Sequence, residues 1–575
     1  MMCWLMLRQT VLNRPSLARF STSARTSKGL DVAVVGSGLT GLSSAYHLVE
    51  SLSETERENI KITVYEATNR IGGWCKSEKR NIEHDGKDLG FVIFEDGPRS
   101  IRPAGYAGWE TIALTHKLGL EKDLISVPKT ASSAKNRFIL LPKTKTPTQI
   151  PTSLVQVLKT KPVRKLIPHI VKEPLGRHKT ERTDESVDWF FTRHFGKTLS
   201  GDFVSAMIHG IYGADSRQIS MKATFPGLLN MENQTGSLVL YPIVKTFKKL
   251  LGLWKESEHE KLAMEEVRKE KEIKRSLPNP VVERLQASSV WGLKGGLGGL
   301  TTALENHLRE KGVKFQTKMK LHNVTVDADG ITAHDTESSK KLQFNYYLTT
   351  TPKSLPKRFR VPDIPASTLG VVSLTFCIPK DIQNPLPAGF GYLIPRTTSW
   401  SFNPYGAIGI VFDSDVMPEV DPSTTLTDHR IIKLTFMLGG PHWSDDSAFI
   451  PLSGPTSSPE ELKEAALETL QLHYPGASEV LGEPIAWKSS VKHNCIPIVP
   501  VGYWTNWRTL HHKMIDTYED GGKRVLLAGG GSSPVGVNGA IVAGKVAGEE
   551  MAYRIKHDLG LLEARQPTTG LERWL

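Results

Sequence analysis

The sequence predicts an α/β protein in which a Rossmann-like nucleotide-binding domain carries a β-rich domain and a helical, basic domain. Three observations lead there. Near the start, the apolar strand DVAVV runs into the turn GSGLTG, a helix and a second strand, KITVYEA. Near the end, RVLLAGGGSSPVGVNGAIVAGKVAGEE repeats the order strand, glycine-rich turn, long helix. Between them, residues 346–486 read mostly as short β-rich runs.

The elements follow in order. No acid precedes Asp31, while Arg8, Arg14, Arg19 and Arg25 are spaced among Leu, Trp and Phe and then Ser and Thr. An arginine-rich, acid-free leader predicts a mitochondrial transit segment over residues 1–28, with a plain basic tail as the bland alternative. Gly36, Gly38 and Gly41 stand directly after the first strand. Glycine there permits a tight turn, close backbone approach to a pyrophosphate, and close helix–strand packing. The helix N-terminus offers amide donors to phosphate. Glu66 ends the second strand and suits the hydroxyls of an unphosphorylated ribose. The site is therefore one for a dinucleotide other than NADP.

Between residues 143 and 179 nine Lys/Arg face one acid, Glu173, with SLVQVL and LIPHIV interleaved. That pattern reads either as a solvated basic face or as a patch lying on an anionic bilayer. From 255 to 275, 14 of 21 residues are charged with both signs mixed, which predicts an exposed helical insertion. SLPNP ends it, and WGLKGGLGGLTTALENHL returns the chain to a glycine-rich element.

Composition excludes several classes. The 575 residues exceed one core, and 39% hydrophobic with 23% charged residues fit a folded protein. Four cysteines without CxxC or Cys/His spacing predict neither a disulfide scaffold nor a metal site. No apolar run reaches the roughly 18 residues of a membrane span. The net charge of +12 leaves nucleic acid, anionic membrane or an acidic small molecule. The leader and the 143–179 stretch absorb much of that excess, so no nucleic-acid partner is expected.

Beyond the glycines, ATNRIGGWCKS follows Glu66, EDGPRS spans 95–100, and GGGSSPVGVNGAIVAGK closes the chain. Together these resemble the flavin-containing amine oxidase superfamily, which implies FAD held without a covalent bond. Further segments, KNRFIL (135–140), GFGYLIP (389–395), MLGG (437–440) and HNCIP (493–497), resemble the porphyrinogen-oxidising branch of that superfamily. The resemblance covers nearly everything from Asp31 to Met551.

That resemblance implies flavin contacts at Gly36, Ser37, Gly38, Leu39, Thr40, Gly41, Glu66, Ala67, Arg70 and Trp74. It adds Gly97, Pro98, Arg99, Ser100, Val535, Gly536 and Val537, with Leu321 on the adenine side. A tetrapyrrole chamber would be lined by Phe390, Leu393, Val411 and Met437, with Gly210 and Gly391 beside the macrocycle. Lys129 would stand where the family pairs an Arg with a propionate, keeping the charge but losing the planar fork. No general base is assigned.

The implied domains are a transit segment (1–28) and a discontinuous FAD domain (29–128, 285–345, 486–575). Into it are set a helical membrane-binding and substrate-entry domain (129–250), the charged insertion (251–284) and a substrate domain (346–485). Protoporphyrinogen IX and O2 are the implied reactants, and the inner mitochondrial membrane the implied peripheral location. A homodimer and a contact with the next enzyme of haem synthesis stay open. An amine or polyamine oxidase, and a non-catalytic escort protein on the same scaffold, are the competing readings. His209 either faces the chamber or is structural, and Cys75 and Cys495 are read as structural.

Overall fold

Three separate stretches of chain build one parallel sheet. Its order is Val525–Leu527, Tyr346–Thr349, Leu30–Val35, Ile60–Tyr65, Lys314–Gln316, with every pairing parallel. The structure, a computed structural model, describes residues 29–562 and 569, apart from 152, 154–155, 158–159, 177–182, 328, 361, 422–427, 445–450 and 519. The leader, residues 1–28, lies outside the described residues.

Ala33, Val34, Val64 and Leu348 are completely buried, as strands covered on both faces require. On one side lie the helices Leu39–Glu50, Gly105–Lys117, Gly298–Glu310 and Val537–Asp558. Glycine sets the spacing between the first and last of these. A Cβ on Gly544 would lie 2.5 Å from the Thr40 carbonyl oxygen, and one on Gly548 2.3 Å from that of Ser44. The opposite face is covered by the three-stranded meander Leu321–Val326, Ile331–Asp335, Lys341–Phe344 and the helix Trp504–Asp516.

A second sheet has seven strands, ordered Ala486–Pro497, Ala366–Pro379, His429–Gly439, Ala407–Val411, Gly391–Leu393, Phe138–Ile139, Thr148–Gln149. It is antiparallel except where Gly391–Leu393 meets Phe138–Ile139. Ala486–Pro497 and the two short strands lie outside the 346–485 segment, yet they pair into its sheet. Two-residue strands carry no periodicity of their own, so only their partners define them.

Helices from Val187–Thr198 to Tyr241–Leu250 form a third layer. A buried ionic cluster holds it: Arg193 pairs with both Glu185 and Glu232, and His194 Nδ1 lies 2.8 Å from Glu173 Oε1. The charged stretch is indeed a helix, Glu258–Ser276, opened by a reciprocal Ser257/Glu260 cap. It is not wholly a solvated surface. Glu260 is buried and accepts hydrogen bonds from Tyr241 Oη (3.0 Å) and Gln234 Nε2 (2.8 Å). Lys274 lies over the Trp109 ring, 4.6 Å from its centroid. Partners on other elements drew this face inward.

Candidate active site

Where the first parallel strand ends, Gly36 takes a left-handed φ of 98° and its N–H donates to the Tyr65 carbonyl. A Cβ on Gly41 would lie 1.8 Å from the Gly36 carbonyl oxygen, so only glycine lets the helix begin there. No side chain caps the Leu39–Glu50 helix, which leaves its positive end for an anion. The Gly72–Gly73 loop closes over this turn. Gly72 N–H donates to the Ser37 carbonyl at 2.9 Å, and a Cβ on Gly73 would lie 2.8 Å from Gly38 Cα. Glu66 Oε2 accepts from the Ser37 amide (3.0 Å) and Oγ (2.6 Å), which orients the carboxylate.

These residues form one end of a cavity of about 1410 Å³. An ordinary small-molecule pocket holds about 300–1,000 Å³, so this one has room for a cofactor and a substrate together. Gly36, Ser37, Gly38, Leu39, Thr40, Glu66, Trp74 and the run Gly97, Pro98, Arg99, Ser100 all line it. Val535, Gly536 and Val537 line it from the other chain end, where the helix Val537–Asp558 starts uncapped by any side chain.

Four expected contacts fall elsewhere. Gly41 shapes the turn from behind. The Arg70 guanidinium donates to the carbonyls of Ile71 (2.8 Å), Cys75 and Gly73, so it braces the glycine loop instead of facing the cavity. Ala67 is exposed and off the wall. The Leu321 side chain is buried in the core under the meander. Conversely, the wall includes Thr350, Thr351 and the left-handed glycines Gly529, Gly530 and Gly531, which the sequence reading passed over. The GGG run directly after a strand was the available signal.

The other end of the cavity rests on one face of the seven-stranded sheet. Leu393 pairs with Gly409, Gly409 with Met437, and Met437 with Val371. Gly391 pairs with Val411, and Val411 with Thr435. Alternation along the strands puts these side chains on a common face. Phe390, Gly391, Leu393, Val411 and Met437 all line the chamber. Gly210 joins them because a Cβ there would meet Leu393 Cδ2 at 2.6 Å; glycine lets the helix Ser205–Tyr212 settle on that leucine.

Lys129 does not reach the chamber. It sits exposed just past the strand Leu124–Pro128, and its Nζ donates to the Gln286 carbonyl at 2.7 Å. Six cations line the cavity, and Lys353, Lys433 and Lys492 are paired with Asp363, Asp421 and Asp96, which leaves Arg102 and Arg137 beside the apolar sheet face. The Arg137 guanidinium lies over the Phe390 ring. Burial, and then the charge of Arg102, depress its proton affinity. No carboxylate among the described residues pairs with either arginine, whereas Arg99 meets Asp413 at 3.4 Å. Two unpaired guanidiniums on a largely apolar wall make a site for an anion.

Burial perturbs the titratable groups around the cavity. Burial pushes the Glu95 carboxyl up to about 7, while Ser77 Oγ (2.8 Å) and the Leu297 amide (2.6 Å) donate to it. The Cys75 thiol is pushed up to about 12 by burial, and the Cys495 thiol, also raised by burial, donates to the Ser367 carbonyl at 3.3 Å. Neither is a ready nucleophile. His209 lies off the wall, fully buried against the Ile394 carbonyl, and burial lowers it to about 4. Among the described residues lining the cavity there is no histidine.

The family model described as flavin containing amine oxidoreductase matches residues 39–552. The protoporphyrinogen oxidase of Schizosaccharomyces pombe is 29% identical, over 91% of this chain and 99% of that protein. The human protoporphyrinogen oxidase is 26% identical, over 90% and 98% respectively. Cyclohexylamine oxidase from Brevibacterium oxydans, 14% identical, superposes with a TM-score of 0.51 over 92% of this chain and all of that one, a likeness of fold.

Proposed function

Because the chain belongs to the flavin containing amine oxidoreductases, we propose that it is an FAD-dependent enzyme that oxidises protoporphyrinogen IX to protoporphyrin IX in haem synthesis. Six hydrogens leave the macrocycle in three two-electron oxidations, and three O2 become three H2O2. The similarity to protoporphyrinogen oxidases along nearly the whole chain supports this reading. One observation carries it: the apolar sheet face bearing Leu393, Val411 and Met437 is flanked by the unpaired cations Arg102 and Arg137. A flat, apolar tetrapyrrole with two propionates matches that wall. A cationic amine would meet two uncompensated positive charges.

The residues fit the cofactor. A Cβ on Gly38 would meet no protein atom closer than 3.9 Å and one on Gly536 none within 4 Å, so both leave open space at the cavity wall. The carboxylate of Glu66 lines it, and two helix N-termini point their positive ends at it. When bound, FAD supplies the two-electron redox couple. The chain itself supplies position. Phe390, Leu393, Val411 and Met437 hold the ring system and exclude water, and the arginines fix its register through the propionates. Aromatisation of the product provides driving force, which fits a wall without a histidine base. Purified protein should be yellow, and it should turn protoporphyrinogen into fluorescent porphyrin in air. A colourless, folded protein that stays colourless with added FAD would refute the enzyme reading. A yellow protein that oxidises cyclohexylamine but not protoporphyrinogen would refute the substrate.

The enzyme docks peripherally on the inner mitochondrial membrane, a reading supported by surface chemistry. On and just beyond the helix Tyr241–Leu250, Ile243, Phe247, Leu250 and Leu253 are each more than 60% exposed beside Lys248 and Lys249, while Lys245 is turned to the buried Glu260. Ile170, Val171 and Leu175 add further exposed apolar surface. Apolar side chains flanked by lysines suit an anionic bilayer surface. No helix among the described residues is long and apolar enough to cross a membrane.

A further inference from the structure

Far from the cavity's glycine turns, three chain segments bring together a thiol and two imidazoles. His84 ends the first strand of the hairpin Ser77–His84/Lys87–Glu95, and the two-residue turn Asp85–Gly86 fixes it, with φ of 49° and 73°. Cys377 and His429 lie on adjacent antiparallel strands of the large sheet. Cys377 pairs with Ile431, and His429 lies two residues before that partner, so both side chains leave the same face. Ile82, Leu89, Val92 and Phe94 pack the hairpin onto that face around Cys377 and Ile431. The ligand atoms of His84, Cys377 and His429 all lie within 4.8 Å of one another, and the cysteine is free.

We infer that His84, Cys377 and His429 form a binding site for a borderline-soft divalent metal ion such as Zn²⁺. Tetrahedral ligands about 2.0–2.3 Å from zinc lie about 3.3–3.8 Å apart, so the trio closes by about 1 Å through side-chain rotation. One thiolate with two imidazoles selects zinc or copper over magnesium and calcium, which prefer oxygen ligands. The fourth position is open to water. Asp85 Oδ2 lies 3.7 Å from His84 Nε2 and adds a negative charge beside the site. On binding, the thiol releases its proton to solvent. The site staples the hairpin, whose last residue Glu95 lines the active cavity, to the sheet that carries the substrate chamber. Linear spacing conceals it, because the three ligands are scattered through the chain.

Calorimetric titration of Zn²⁺ into the metal-stripped, reduced holoenzyme tests this. One ion per chain should bind with Kd below about 10 μM. Cys377→Ser and His429→Ala should each weaken binding by at least about tenfold, while Cys495→Ala should not change it. Flavin absorbance and circular dichroism confirm that each variant is folded. With Co²⁺ in place of Zn²⁺, a thiolate-to-metal charge-transfer band should appear in the difference spectrum and vanish in Cys377→Ser. Weaker binding in the wild type, or equal binding in Cys377→Ser, overturns the assignment.

Discussion

The Arg137 guanidinium carbon lies 4.8 Å from the centroid of the Phe390 ring, so one cation–π contact joins the charged and apolar parts of the substrate wall. Losing the arginine therefore removes a propionate partner and a support for the ring at once. Arg137→Ala should raise KM for protoporphyrinogen by about 10–100-fold, the equivalent of a charge-assisted hydrogen bond of about 1.5–3 kcal/mol. FAD content should be unchanged. Lys129→Ala should leave KM within about twofold, since its ammonium is turned to Gln286. Steady-state kinetics on freshly reduced substrate separates the two, and a large KM effect at Lys129 would reverse the assignment.

At Gly210 the neighbour that must give way is the end of Leu393. Gly210→Ala should push that leucine into the chamber, lowering kcat/KM by about tenfold or more while costing about 1–3 kcal/mol of stability. Kinetics paired with thermal melts would show it. An unchanged kcat/KM would mean that the helix retreats instead.

The obstacle at Gly41 is backbone, which cannot rotate away. Gly41→Ala should yield protein that has lost most of its flavin, seen as a fall in the ratio of visible to ultraviolet absorbance. A fully flavinated variant would show that the turn can open.

The buried carboxyl of Glu95 makes stability depend on pH. Its folded pKa, about 7, lies above the ordinary 4.5, so between those values the folded state binds the extra proton. Its contribution is best below about pH 4.5 and is progressively lost as pH rises to 7. Glu95→Gln keeps an acceptor and removes the charge. The variant should therefore be more stable than wild type at pH 8, by up to about 3 kcal/mol, with the gap closing towards pH 5. Denaturant melts at the two pH values decide it, and a gap of equal size at both would contradict the shift.

For membrane docking, Phe247→Glu with Leu250→Glu should lower partitioning onto vesicles of phosphatidylcholine and cardiolipin by at least about tenfold. Turnover in detergent should be unaffected, because neither residue approaches the cavity. Wild-type protein that fails to float with such vesicles at physiological salt would end the proposal.

The nucleotide end was readable because its signals are local: an apolar strand, three spaced glycines and a carboxylate one strand later. The chamber was readable through GFGYLIP and MLGG only by resemblance, since Phe390 and Met437 alone look like core. Arg137 stands in the quoted segment KNRFIL, but its aim depends on Phe138–Ile139 pairing with Gly391–Leu393, more than 250 residues away. The family resemblance put the propionate partner at Lys129 instead. In RIGGW an arginine beside two glycines could serve a phosphate or brace the loop, and only the carbonyls around Arg70 decide between them.

The nucleotide sheet sets a timetable for the chain's birth. Its central strand, Leu30–Val35, is made almost first, but its neighbour Tyr346–Thr349 comes some three hundred residues later and the edge strand Val525–Leu527 near the end. Until those strands appear, the first βαβ unit has an open edge and a helix without its partner, Val537–Asp558. Such long-range pairing makes folding slow and leaves the growing chain prone to aggregate. The cofactor cradle therefore closes only when synthesis is all but complete. The last long helix to be made completes the first turn that was made.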